Sequence, residues 1–130
     1  GEAECVIKGG NSNWRGPIWF PTSFLLLDAL RALYHHIGDS ITVKVGNEKE
    51  VNMKEMADYF AHAMINLFKR NKEGKRPIYA DEEMFQKDPH WRDHILFFEY
   101  FHGDNGRGVG TSHQTGWTGL VANLIDEWIK

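Results

Sequence analysis

The chain has 130 residues, of which 42% are hydrophobic and 25% charged, with a formal net charge of −3. These values suit one globular unit with a modest core and exclude extensive disorder. The charge balance gives no reason to propose a nucleic-acid or anionic-membrane partner, no stretch is apolar for long enough to span a bilayer, and a single cysteine, Cys5, excludes an internal disulfide and a cysteine-cluster metal site.

The N-terminal run GEAECVIKGG lacks the basic head and apolar stretch of a signal peptide, and the absence of an initiating Met predicts a processed or larger parent. A first helix is expected from about Pro21 to Ile37. Pro21 suits the first helical turn, Leu26, Leu30, Leu33, Tyr34 and Ile37 recur at a helical period, and Gly38 is a stop. Residues 39–51 form a loop with room for one short strand at Ile41 to Val45. A second helix is expected from about Met53 to Arg70, with Asn52 and Glu55 spaced as a capping box. Its predicted face carries Met53, Met56, Ala57, Phe60, Ala61, Met64, Leu67 and Phe68. Residues 71–87 read as a polar loop with a basic rim. A third helix is expected to begin at Asp88-Pro89 and to continue, buried, through WRDHILFFEYF. A long glycine-rich loop over 102–116 follows. A fourth helix is expected from about Gly116 to Ile129, where Trp117, Leu120, Val121, Leu124, Ile125 and Trp128 keep three-four spacing.

Four stretches have residue types that suit chemistry. In GGNSNWRGPIWFP, two indoles and a guanidinium precede a helix. Indole faces stack on a pyranose while Arg and Asn bond its hydroxyls, although Trp19 could equally plug a core. In FFEYFH, Glu99 stands in an aromatic run. A carboxylate there is costly to bury unless it is bonded or paired, and a general base exploits such a setting. The bland alternative is a Glu99 that faces out or pairs with Arg92 or Arg107. The glycine-rich loop has no phosphate-binding signature, because no GK[ST] is present and it follows no strand. Its glycines suit close approach to a ligand or positive φ angles. His90 and His94 have the i, i+4 spacing of a zinc pair. However, Trp91 stands where the HExxH pattern has Glu, so no metal is expected and Asp93 reads as part of a polar network with Arg92 and His94.

Three blocks, GGNSNWRGPIWFP, DPHWRDHILFFEYFHGDNGRG and SHQTGWTGLVA, occur in that order. Together they closely resemble the C-terminal part of glycoside hydrolase family 63, over nearly all of the chain from Gly9 to about Leu124. The resemblance implies an all-α fold: about the last four helices of an (α/α)6 toroid, with a long glycine-rich loop and at most one short strand. Residues 1–130 would form one C-terminal fragment of the catalytic domain. It also implies inverting hydrolysis of α-glycosidic bonds in oligosaccharides or small glucosides, with Glu99 as general base. Trp14, Arg15 and Trp19 would contact the sugar, and His113, Gln114 and Trp117 would form a second wall. No cofactor is implied. The family's general acid is an Asp upstream of the WRGP block, and no candidate precedes Gly9. The isolated chain is therefore expected to be inactive, and its exposed helix faces to seek the remaining toroid helices or self-association. The alternatives are a non-catalytic carbohydrate-binding module and a structural remnant. One cysteine, short loops and no N-x-[ST] sequon fit a microbial cytoplasmic protein, whereas a eukaryotic relative would sit in the endoplasmic reticulum.

Overall fold

A computed structural model of the protein describes residues 16–46 and 49–129. Helix α1 spans Phe20–Ile37 with Pro21 in its first turn. It ends at Gly38, whose φ of 57° is a conformation that glycine adopts without penalty. The helix forms where the sequence predicts, but its buried stripe differs. Phe20 and Leu27 are buried and Phe24 and Leu30 pack beside them, while Leu26 and Leu33 face out. An all-apolar sequence such as FLLL supports more than one stripe, and tertiary packing chose between them.

Strands β1 (Thr42–Val45) and β2 (Lys49–Asn52) form an antiparallel hairpin in which Val43 faces Val51. Asn52 then ends the strand and starts helix α2, Met53–Asn66. Its side chain accepts from Glu55 N at 2.9 Å, and its own N–H donates to the Glu55 carboxylate at 3.0 Å, so the expected capping box is present. Met53, Ala57, Ala61, Met64 and Ile65 are buried along α2, but Phe60 is exposed. The helix stops at Asn66, short of the expected Arg70. Residues 71–87 are more than a polar loop. Ile78 and Tyr79 are fully buried, and Glu83–Lys87 forms a short helix, α3. The buried Gln86 amide holds this turn by accepting from Arg76 N and donating to the carbonyls of Arg76 and Ala80.

The expected third helix is absent. From Asp88 only a short run of turns forms, in which the N–H groups of Trp91 and Arg92 reach Asp88 O, and it dies out by His94. Residues 95–101 are extended instead, leading into strand β3 (Tyr100–Phe101), which pairs antiparallel with β4 (Gly108–Val109). A short run rich in aromatic and branched residues suits either a buried helix or a strand, and here its backbone groups find partners outside the segment. Two two-stranded sheets therefore replace the expected all-α fold with at most one strand, and the architecture is not that of an all-α toroid fragment. The last predicted helix forms as two pieces, α4 (Thr115–Thr118) and α5 (Leu120–Trp128), meeting at Gly119.

The core lies where α1 and α5 pack on α2 and the extended run crosses beneath. Phe20, Phe68 and Phe101 form an aromatic cluster with centroid separations of 5.5–5.9 Å, joined by Leu27, Ile65 and Leu124. Each such side chain contributes roughly 1.5–3 kcal/mol on leaving water. A polar staple closes one side. The Arg31 guanidinium lies 4.7 Å over the Trp128 ring and pairs with Glu127, and the Trp128 N–H donates to Asp58 at 2.8 Å, tying α1, α2 and α5 together. Among the described residues no helix is long and apolar enough to cross a membrane.

Candidate active site

The three blocks that stand apart in sequence meet around residues 97–101. On one side Ile18 and Phe101 exchange backbone hydrogen bonds at 2.8 and 2.9 Å. There the two backbones run so close that a Cβ on Gly103 would lie 2.2 Å from Gly16 O, which leaves no space for a side chain. On the other side Glu99 N donates to Thr111 O at 2.8 Å and Gln114 N donates to Phe97 O at 2.7 Å. A turn over 102–107 joins the two arms, with His102 N donating to Arg107 O and Gly106 N to His102 O.

Glu99 is half-buried on this run. Its Oε2 accepts from Thr111 N at 3.1 Å and from Thr111 Oγ1 at 2.9 Å, and Arg92 pairs with Asp93 instead. Gly110 packs against it with a φ of 75°, and a Cβ there would come 2.7 Å from Oε2 and 2.7 Å from Tyr100 Cε1. The glycine is thus needed twice, for its backbone angle and for the space taken by the carboxylate. Composition marks this loop as glycine-rich, but not that one glycine seats the acid or that Thr111 holds it.

Trp19 and Trp117 meet edge to face, with centroids 4.8 Å apart and planes at 87°, and both are half-buried. Trp19 precedes α1, and its carbonyl accepts from Ser23 N and Thr22 Oγ1. Trp117 lies in α4 beside the fully buried Thr118, whose hydroxyl donates to Phe98 O. The indole pair and Glu99 are therefore fixed to one support: Trp117 and Glu99 each lie one residue from that hydrogen bond, and Trp19 follows the Ile18–Phe101 bridge. Gln114 is half-buried and starts α4, its carbonyl accepting from Trp117 N and Thr118 N. His113 is exposed, bridges to Phe97 through the backbone and has its ring 6.0 Å from the Phe97 ring. Trp14 and Arg15 lie outside the described residues.

Tyr79 supports the start of the extended run. Its hydroxyl donates to His94 O at 2.6 Å and accepts from Leu96 N at 3.0 Å, and burial raises the phenol above its ordinary range. Asp93 pairs with Arg70 at 2.9 Å and Arg92 at 3.3 Å, and the Arg70 bond holds its carboxyl below the usual carboxylate range. Beside it, burial and the neighbouring Arg70 lower the Arg76 guanidinium. His90 and His94 are exposed and not on a helix, which removes the geometric basis of a zinc pair. Among the described residues no group of three His, Cys, Asp or Glu side chains could hold a metal ion. A separate groove of about 540 Å³ runs between α1, α2 and the 103–106 turn, with Leu26, Tyr59, Phe60 and Asp104 in its walls; Glu99 does not line it.

No family model matches the chain, and no solved structure matches it. It is 49% identical to an uncharacterized protein of Saccharomyces cerevisiae, over 98% of this chain and 12% of that protein. It is 29% identical to the mannosyl-oligosaccharide glucosidase of Saccharomyces cerevisiae, over 86% of this chain and 11% of that enzyme. It is 27% identical to a probable mannosyl-oligosaccharide glucosidase of Schizosaccharomyces pombe, over 91% of this chain and 11% of that protein. The chain thus spans about a ninth of the length of the relatives it matches. It is a distant homologue of mannosyl-oligosaccharide glucosidases, and glycosidase-related at that level.

Proposed function

We propose that the chain works as part of a larger α-glycosidase of the family 63 kind and supplies its general base, Glu99. The reading is carried by one observation: a half-buried carboxylate, bonded to a backbone N–H and a hydroxyl, lies where the three sequence blocks converge. The distant glucosidase homologues support the same reaction class. In an inverting reaction the base takes a proton from water as the water oxygen attacks the anomeric carbon. A carboxylic acid elsewhere in the enzyme, roughly 6.5–9.5 Å from the base, protonates the departing oxygen. Trp19 and Trp117 would form the aromatic wall of the sugar pocket, with His113, Gln114, Trp14 and Arg15 as further contacts. The substrate is an oligosaccharide or small α-glucoside.

Hydrolysis of an α-glucoside by the longer polypeptide that contains this chain tests the assignment. Glu99→Gln should abolish turnover there, and the 130-residue chain alone should show none. Wild-type turnover in Glu99→Gln would end the base reading. The partly exposed indole pair also favours a second reading, a carbohydrate-binding module. In that case glucose-type sugars would change the tryptophan fluorescence of the chain, while Glu99→Gln would leave hydrolysis untouched.

A further inference from the structure

Resting on the reading of Glu99 as general base, we infer that Thr111 is its positioning residue, and that it fixes which carboxylate oxygen receives the proton. Both hydrogen bonds to the carboxylate land on Oε2, one from Thr111 N at 3.1 Å and one from Thr111 Oγ1 at 2.9 Å. Gly110 packs against the same oxygen, close enough that a Cβ would lie 2.7 Å from it. Oε2 is therefore occupied by donors and by backbone, and among the described residues no hydrogen bond reaches Oε1. A carboxylate anchored through one oxygen has the other to accept a proton.

In the reaction, one water O–H bond breaks and its proton moves to Oε1. The water oxygen bonds to the anomeric carbon, the glycosidic C–O bond breaks, and its electron pair goes to the leaving oxygen. That oxygen takes a proton from the carboxylic acid supplied by the rest of the enzyme. Thr111 acts through Glu99, donating to the carboxylate oxygen that does not take the proton. Its contribution is orientation, which matters because a displacement of about 1 Å at a reacting group lowers rates by up to about a hundredfold.

The two Thr111 bonds have different origins, and this makes the inference testable. The backbone bond survives substitution by any residue but proline, while the hydroxyl bond needs Ser or Thr. Substitutions would be made in the longer polypeptide and assayed by steady-state kinetics on an α-glucoside, with circular dichroism to confirm folding. Thr111→Val should lower kcat by about 10- to 100-fold with KM changed less than about twofold, because the carboxylate loses one of its two anchoring bonds while the sugar contacts are untouched. Thr111→Ser should return kcat to within about threefold of wild type, since it restores the donor. Thr111→Ala replaces Thr111→Val should the latter not fold. A normal kcat in Thr111→Val, or a Thr111→Ser as slow as Thr111→Val, would overturn the positioning role. Glu99→Gln is run in parallel: if it is inactive while Thr111→Val is normal, the positioning role alone falls; if it is active, the base reading falls with it.

Discussion

Phe101→Ala should cost about 4 kcal/mol of folding stability, within the range for emptying a fully buried Phe site. The ring is 0% exposed and lies between Phe20 and Phe68, at centroid distances of 5.5 and 5.7 Å, so truncation leaves a cavity walled by stiff aromatics. Its backbone is also held at both ends by Ile18, so the strand is not free to slide into the space. For a domain of this size, a loss of that order lowers the melting temperature by about 15 °C. The control is Trp91→Ala, in the same expected helix. Trp91 is 47% exposed and makes edge contacts with Phe85 and His94, so its loss should cost about 1 kcal/mol or less. Urea unfolding followed by far-UV circular dichroism measures both. A Trp91→Ala loss as large as that of Phe101→Ala would mean that Trp91 is packed in the core as well, and a Phe101→Ala loss below about 1 kcal/mol would mean that Phe101 is not; either result refutes this packing.

Three further outcomes follow from named contacts. Gly110→Ala combines a φ of 75° with a Cβ 2.7 Å from the Glu99 carboxylate, so it should destabilise the chain by about 1–3 kcal/mol in thermal melts and, made in the longer polypeptide, reduce the proposed glycoside hydrolysis more than Thr111→Ser does. Tyr79→Phe leaves Leu96 N and His94 O without their shared partner and should cost about 2 kcal/mol at neutral pH, read by urea titration. Because the native phenol is raised, its contribution is complete below the ordinary tyrosine value of 10.0 and is lost as pH rises from there through the native value; Tyr79→Phe should flatten that alkaline decline in a stability–pH series. Asn52→Ala removes the α2 cap and should cost about 1 kcal/mol, with local amide exchange at Glu55 rising before that of the core.

The first two helices and the Asn52 cap are legible in the sequence because each is written locally, in caps, a stop glycine and a helical period. The run DPHWRDHILFFEYF is not. Its start signal is genuine, but its end is decided by Ile18, Thr111 and Gln114, residues remote in sequence that take up its backbone groups. The same holds for the candidate site. Glu99 stands out as an acid among aromatics, and Trp19 and Trp117 as indoles beside helix starts. Thr111 carries no such mark, since its role depends on a side-chain geometry that only the folded hairpin creates. The small second strand at Lys49–Asn52 is hidden for another reason: its consecutive charged residues, Lys49 and Glu50, are exposed on both sides of the strand and mimic a loop.

The bridge between Ile18 and Phe101 has a consequence for the order of assembly. Glu99 and Thr111 lie on one local hairpin, whose closure needs only a short loop and is fast. The pairing of Ile18 with Phe101 closes most of the chain into a single loop, and its entropy must be spent before any contact rewards it. The carboxylate and its hydroxyl anchor should therefore come together early, and the Trp19–Trp117 contact late. Quenching between Trp19 and Trp117 during refolding times the second event separately from the first, so the chain holds a built-in clock for the joining of its distant blocks.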